Sequence, residues 1–377
     1  MALAPEDTPD PTQLEGAPHP RDTARLFGHG EAEAEFLSAF NSGRLHHGWL
    51  IVGPRGVGKA TLAWRIARFL LATETNDGGM FAPAAPVSLD TPADHPVNRR
   101  ITAKTESRLF HLKRELNEKE TALSDEIRVP EVRKLKSYFT LSSADGGRRV
   151  AIIDSADDLA TSGANALLKL LEEPPERVTL ILISHQPHRL LPTIRSRCRT
   201  LRLGPLSPQN LSAALTQAGG ILDAGQAQAL AELAGGSVGE AFRLTNLDGL
   251  DLYSRLVGMM ATLPRLDRSK LLTLADQMAG KANDARFELT LTLLDLFLAR
   301  LARTGSTGQV LVPAAAGETA VLGRLSPNPG IARHWADLAQ TLGAKARRGR
   351  AVNLDPSALL MDMVLAIDAA AGALAQR

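Results

Sequence analysis

Apolar positions along this chain follow two different rhythms. Up to about residue 205, short continuous apolar runs alternate with segments whose apolar residues return every three or four positions. His47-Gly48-Trp49-Leu50-Ile51-Val52, Val150-Ala151-Ile152-Ile153-Asp154 and Thr179-Leu180-Ile181-Leu182-Ile183-Ser184 read as strands covered on both faces, which is the pattern of a parallel sheet. Arg199-Thr200-Leu201-Arg202-Leu203 reads as an outer strand. Between them, Leu62, Ile66, Phe69 and Leu70 have helical spacing, as do Val132, Leu135 and Phe139 after Glu126-Ile127-Arg128-Val129-Pro130, where the proline suits a first helical turn. Ala164, Leu167, Leu168, Leu170 and Leu171 predict a further helix, closed by Glu172-Glu173-Pro174-Pro175 because proline cannot continue it. This alternation predicts an α/β domain with a mostly parallel sheet over about residues 21–205.

After the turn Gly204-Pro205-Leu206-Ser207-Pro208 only the helical rhythm persists. Leu211, Leu215, Ala229, Leu230 and Leu233 predict a small helical domain over residues 206–247. The remainder, 248–377, reads as a second helical domain with a long apolar helix from Phe287 to Leu301, an exposed stretch from Thr304 to Gly317 and a closing helix from Ser357 to Leu374. Two regions lack a period. Residues 1–20 are rich in proline and acid, without the basic start and apolar core of a secretory signal, and read as a flexible tail. Residues 76–125 read as an insertion: Asn76-Asp77-Gly78-Gly79 and Pro83, Pro86, Pro92 and Pro96 break regular structure, and charge dominates from Ser107 to Leu123.

Composition narrows the class. The 377 residues suit two or three domains, and 44% hydrophobic with 22% charged residues describes a globular protein. No apolar run is expected to reach the roughly 18 residues that cross a bilayer, so no membrane segment is expected. A formal charge of +2 does not by itself indicate a nucleic-acid partner, and two tyrosines with three tryptophans make no platform for stacking bases. The single cysteine, Cys198, excludes an intramolecular disulfide and any cysteine-based zinc module, and it suits a reducing, cytoplasmic setting. His95 and His111 are too few for a tetrahedral site, so no structural zinc is expected.

The candidate chemistry begins at Gly53-Pro54-Arg55-Gly56-Val57-Gly58-Lys59-Ala60-Thr61, between the first strand and its helix. In GxxxxGK(S/T) loops the glycines turn backbone N–H groups toward phosphate, the lysine reaches the β- and γ-phosphates, and the next hydroxyl binds Mg²⁺. Ala60 has no hydroxyl to offer. The loop therefore predicts nucleotide binding, ATP or ADP held weakly, with Mg²⁺ arriving only with the nucleotide.

The loop, Ile152-Ile153-Asp154, Asn165-Ala166-Leu167-Leu168-Lys169-Leu170-Leu171-Glu172-Glu173-Pro174-Pro175 and Ser196-Arg197-Cys198 follow one another in an order that resembles the clamp-loader branch of the AAA+ ATPases, of the bacterial DNA polymerase III kind. The variant with Ala60 is most similar to alphaproteobacterial members. Asn353-Leu354-Asp355-Pro356 before the last helix resembles the end of the clamp-loader collar domain. The resemblance implies an α/β P-loop AAA+ domain, a small helical lid and an all-α collar used for oligomerisation. It implies that Arg197 is an arginine finger acting in trans on a neighbour's ATP, that Asp154 is the acidic strand end that holds Mg²⁺, and that Ser184 orients the attacking water.

The same resemblance marks what is missing. Ser155 stands where active relatives carry the glutamate that activates water, and Gly239 where they carry a second sensor arginine, with Arg243 four positions later. Asp157 and Asp158 are expected to point away. The implied role is a non-motor subunit, a poor or inactive ATPase in itself, within a hetero-oligomeric ring with tau/gamma and delta subunits. Through that assembly it would meet the sliding clamp and primer-template DNA as part of the DNA polymerase holoenzyme. Two other readings are an active AAA+ motor, either a hydrolysing clamp-loader subunit or a branch-migration helicase, and a small-molecule P-loop kinase. His46-His47 are read as contacting nucleotide or capping the turn, and Lys345, Arg347, Arg348 and Arg350 as touching DNA or forming a solvated face.

Overall fold

A computed structural model describes residues 10–23, 25–73, 84–117, 122–140, 147–220 and 223–375. The chain divides into two compact units, one of residues 1–220 with 236–239 and the other of 221–235 with 240–377.

Among the described residues the first unit is built on five strands, β1 (Gly48–Val52), β2 (Leu109–Lys113), β3 (Arg149–Asp154), β4 (Val178–Ser184) and β5 (Arg199–Arg202), in the spatial order β2-β3-β4-β1-β5. Every pairing is parallel. Successive side chains of a strand point to opposite faces, so each central strand feeds two cores. Trp49, Ile51, Ile152, Ile181 and Ile183 meet α1 (Gly30–Asn41), α2 (Lys59–Ala72) and α3 (Pro96–Thr102) through Phe36, Leu62, Ile66, Leu70, Val97 and Ile101. On the other face Leu50, Val52, Ile153, Leu180 and Leu182 meet α4 (Val129–Thr140) and α5 (Thr161–Glu172) through Val132, Leu135, Phe139, Leu167, Leu170 and Leu171. Burial on both faces is why these strands carry continuous apolar runs.

Three expectations need correction. Residues 10–20 are not a loose tail. His19 is only 2% exposed, set edge-on to Trp64 and His111 with ring centroids 5.7 and 6.3 Å away, and Asp10 is paired with Lys113 at 2.5 Å. Second, the stretch 76–125 contains α3 and the edge strand β2, whose partly exposed side chains show no clean alternation in the sequence. The Asn76-Gly79 turn and Pro83 lie outside the described residues. Third, 206–247 does not stand apart as a domain. The short helices α6 (Pro192–Ser196) and α7 (Pro208–Gln217) fall in the first unit, and α8 (Ala224–Ala234) falls in the second.

The second unit is helical, with α9 (Val238–Asn246, whose first two residues belong to the first unit), α10 (Gly249–Met260), α11 (Arg268–Asp276), α12 (Asp284–Thr307), α13 (Glu318–Leu325), α14 (Pro329–Ala351) and α15 (Pro356–Ala375). α12 packs along α14, and Phe287, Leu293, Leu294, Phe297 and Leu301 of α12 and Trp335 and Leu342 of α14 are buried. α15 has the length and mean hydropathy (20 residues, 1.8) of a membrane-crossing segment, contrary to expectation. Its Leu359, Leu360, Met363, Val364, Ile367 and Ala371 nevertheless form one buried stripe, and it packs against α11 and α14 as a core helix does.

A buried polar cluster was not anticipated. Arg300 Nε donates to Glu318 Oε1 at 2.6 Å, Arg300 also reaches Glu232, and the Tyr253 hydroxyl donates to the same Glu318 oxygen at 2.6 Å. Glu318 is fully buried and also accepts the N–H of Ala314. Burial and the Glu318 charge push the Tyr253 phenol above its ordinary range.

Candidate phosphate-binding site

The loop, Asp154 and Ser184 meet at the C-terminal ends of neighbouring parallel strands. The loop 53–61 leaves the C-terminal end of β1, Ser184 ends β4 in register with Val52, and Asp154 ends β3 beside β4. Crevices at the C-terminal ends of parallel strands are where open α/β sheets bind ligands. The loop leads directly into α2, whose first-turn N–H groups and dipole favour an anion.

The loop's own polar groups are held from several sides. Lys59, 3% exposed, turns its Nζ back onto the carbonyl of Gly53 at 2.8 Å and onto that of Pro54. His29 Nε2 meets the Val57 carbonyl at 2.8 Å, a contact sequence reading missed because the histidine lies 28 residues upstream with no periodic signal. From the other side Ser237 Oγ donates to the Arg55 carbonyl at 3.0 Å and the Gly239 N–H to that of Gly56 at 3.2 Å. Glycine at 56 is required both by its φ of +73° and by the neighbour: a Cβ there would stand 2.3 Å from Ser237 Oγ.

Burial and charge tune the two ionisable groups against each other. Burial lowers the Lys59 ammonium to about 8, opposed by the charges of Asp154 and Asp157. Burial raises the Asp154 carboxyl to about 7, with Lys59 pulling it down and Asp158 and Asp10 pushing it up. Burial similarly raises Asp158, which Arg114 pairs at 3.3 Å.

Asp157 was expected to point away, and it does not. It accepts the Ser184 hydroxyl at 2.8 Å, the His185 N–H at 2.5 Å and the Gln186 N–H at 3.2 Å, tying the turn after β3 to the end of β4. Ser184 is fully buried and its hydroxyl is aimed at Asp157. The signal was present as an acidic pair after a strand, but its target lies 27 residues further on.

Arg197 is not brought to this site. It caps the C-terminus of α6, and its carbonyl oxygen lies 3.0 Å from where a Cβ on Gly48 would stand, at the opposite end of β1 from the loop. Five residues at about 3.3 Å each put it about 16 Å from its own loop. Its guanidinium bonds Glu172 at 2.9 Å and the Thr193 carbonyl at 3.1 Å and stays 36% exposed. Burial pushes the neighbouring Cys198 thiol up to about 12, which makes it a poor nucleophile. His46 and His47 sit at that same far end, bonded to Gly48 and to the Leu171 carbonyl, so they cap the turn.

The remaining candidates are occupied elsewhere. His95 caps α3 by accepting the Val97 N–H, and His111 lies against Trp64. Among the described residues no group of three or more His, Cys, Asp and Glu side chains could hold a metal ion. In the basic cluster Lys345 pairs with Asp362 and Arg350 with Glu288, while Arg347 and Arg348 are exposed.

Residues 28–207 match the family model described as DNA polymerase III, delta subunit. The DNA polymerase III subunit delta' of Pseudomonas aeruginosa is 38% identical over 152 residues, covering 40% of this chain and 41% of its own length. The subunit tau of Escherichia coli is 29% identical over 273 residues, covering 71% of this chain and 39% of its own. The chain thus spans less than half the length of these curated relatives. A solved gamma-subunit-related protein of Thermotoga maritima aligns over 88% of this chain and 98% of its own at 18% identity and a TM-score of 0.35, too loose a superposition to add to the fold described above. Residues 28–207 of this chain are therefore similar to the DNA polymerase III delta-subunit family, and to subunits named delta' among its relatives.

Proposed function

We propose that this chain is a scaffold subunit of a sliding-clamp loader in DNA replication, acting in the cytoplasm and donating Arg197 to an ATP site on a neighbouring subunit. The observation that carries this reading is the placement of Arg197 at the end of β1 remote from its own loop, on an exposed helix terminus. A guanidinium presents a fixed fork of donors to phosphate oxygens and offsets the charge that develops in phosphoryl transfer, an effect of about 10³ to 10⁵ in rate where such fingers act. From about 16 Å it has no reach to its own loop, whereas an exposed edge can meet a partner's.

The chain's own loop fits a nucleotide's phosphates, with glycines that leave room for close backbone approach and a lysine at its base. Bound Mg²⁺ would supply charge neutralisation and would find Asp154 as its one ligand from the motifs, since Ala60 has no oxygen and Ser155 is turned toward Asp157. Gly239 brings no cation to the phosphates. Three contacts each worth about 2 to 4 kcal/mol in a transition state are absent, so ATP or ADP binds weakly and is hardly turned over. No structural zinc belongs to this reading.

Reconstitution with a motor subunit and a delta subunit, with and without Arg197→Ala, tests it. The variant should fold and assemble as the parent does while the assembled ATPase falls at least tenfold. An unchanged assembled ATPase removes the finger. The competing reading as an active motor predicts turnover by the isolated chain, which should instead stay below about one per second.

A further inference from the structure

The residues before the first helix of the sheet unit are held by three separate anchors, two of them beside the phosphate site. The first lies at the end of the sheet. Lys113 closes β2 in register with Asp154, one strand spacing of about 4.8 Å away, and its ammonium is held by Asp10 at 2.5 Å. Thr12 N–H and Oγ1 donate to the other Asp10 oxygen at 3.0 and 2.6 Å, fixing the turn. Burial would raise the Asp10 carboxyl, but Lys113 and Thr12 outweigh it and hold the group well below the usual carboxylate range.

The second anchor lies on the loop itself. Leu14 Cδ1 lies 3.1 Å from where a Cβ on Gly239 would stand, and Gly239 is bonded to Gly56. Leu14 thus fills the direction in which a side chain at 239 would project across the loop. It is still 48% exposed, so it covers the site from outside and is no part of the core. The third anchor is His19, buried between Trp64 of α2 and His111 of β2, with Nδ1 accepting the Arg21 N–H at 3.0 Å and Nε2 bonded to Thr12 Oγ1 at 3.2 Å.

We propose that residues 10–19 form a strap latched across the phosphate site, and that nucleotide and the latched strap exclude each other. Latched, the strap adds the Asp10 carboxylate beside Asp154, takes up the Lys113 ammonium and covers the Gly56–Gly239 contact with Leu14. Each works against a polyanion. Released, it withdraws one negative charge, frees a cation one strand from Asp154 and opens the loop's outer side. The inference rests on reading the loop as a nucleotide site.

Calorimetric titration of the full chain with Mg-ATP and Mg-ADP tests it, using the parent, Asp10→Ala/Leu14→Ala, His19→Ala, and Lys59→Ala as the blank. Asp10 and Leu14 are partly exposed, so the double variant should stay folded under the titration conditions, with an unfolding midpoint lowered only by the loss of the Asp10–Lys113 pair. It is expected to bind at least tenfold more tightly than the parent, as is His19→Ala. Exclusion is reciprocal, so saturating Mg-ATP should speed amide hydrogen exchange across residues 10–19 of the parent. Equal or weaker affinity in both opened variants, or slower exchange in that segment on adding Mg-ATP, overturns the strap and leaves the nucleotide site standing. No binding by any variant, with exchange showing that the strap has opened, overturns the nucleotide site and the strap with it.

Discussion

Asp157 shows how much one side chain can organise. It accepts three donors from the end of β4, one of them the fully buried Ser184 hydroxyl, so its removal leaves buried donors without partners. Asp157→Ala should cost about 2 to 4 kcal/mol in denaturant unfolding, with Asp157→Asn recovering part of it. Ala60 is the converse, a residue whose effect is an absence. Ala60→Thr should tighten nucleotide binding in the presence of Mg²⁺ by severalfold, read by titration with and without the metal, yet give no measurable turnover, because Ser155 and Gly239 still supply neither base nor cation. Turnover restored by that single change would mean that the other two positions are not limiting.

At the scale of elements, the docking of residues 10–22 on α2 and β2 makes stability depend on pH. Burial lowers His19 to about 4, with Arg21 adding to the effect and Asp10 opposing it, and lowers His111 to about 3, with Lys113 and His19 adding to it. A group whose folded pKa is depressed contributes stability that is present above its unfolded value near 6.5 and is lost as pH falls toward the folded value. The thermal midpoint should therefore fall between pH 7 and pH 4, and His111→Phe should flatten that dependence. A midpoint as steep in the variant as in the parent would place the acid sensitivity elsewhere. The strands were legible because continuous apolar runs are a local signature of burial on both faces. β2 was not, since an edge strand such as Leu109–Lys113 has partly exposed side chains and no clean period.

For the whole molecule, the two units are stabilised by different means. The sheet unit rests on two apolar cores, whereas the helical unit also sets the buried Arg300–Glu318–Tyr253 cluster between α10, α12 and the start of α13. Removing one member of a buried ion pair leaves the other charge uncompensated, so Arg300→Met should destabilise the helical unit by about 3 to 5 kcal/mol, seen as an early transition in denaturant. Metal analysis of the purified chain should find no stoichiometric zinc.

By itself the sequence determined what depends on near neighbours: the buried strands, the phosphate loop with alanine in place of a hydroxyl, the order of motifs, and the helical second half. Tertiary structure alone decided which distant positions meet. It put Asp157 against Ser184, Ser237 and Gly239 on the loop, Leu14 beside Gly239, Asp10 on Lys113, and Arg197 at the far end of β1. A period of two or 3.6 residues reports which face of an element is covered. It carries no information about which side chain, 100 or 200 residues away, does the covering.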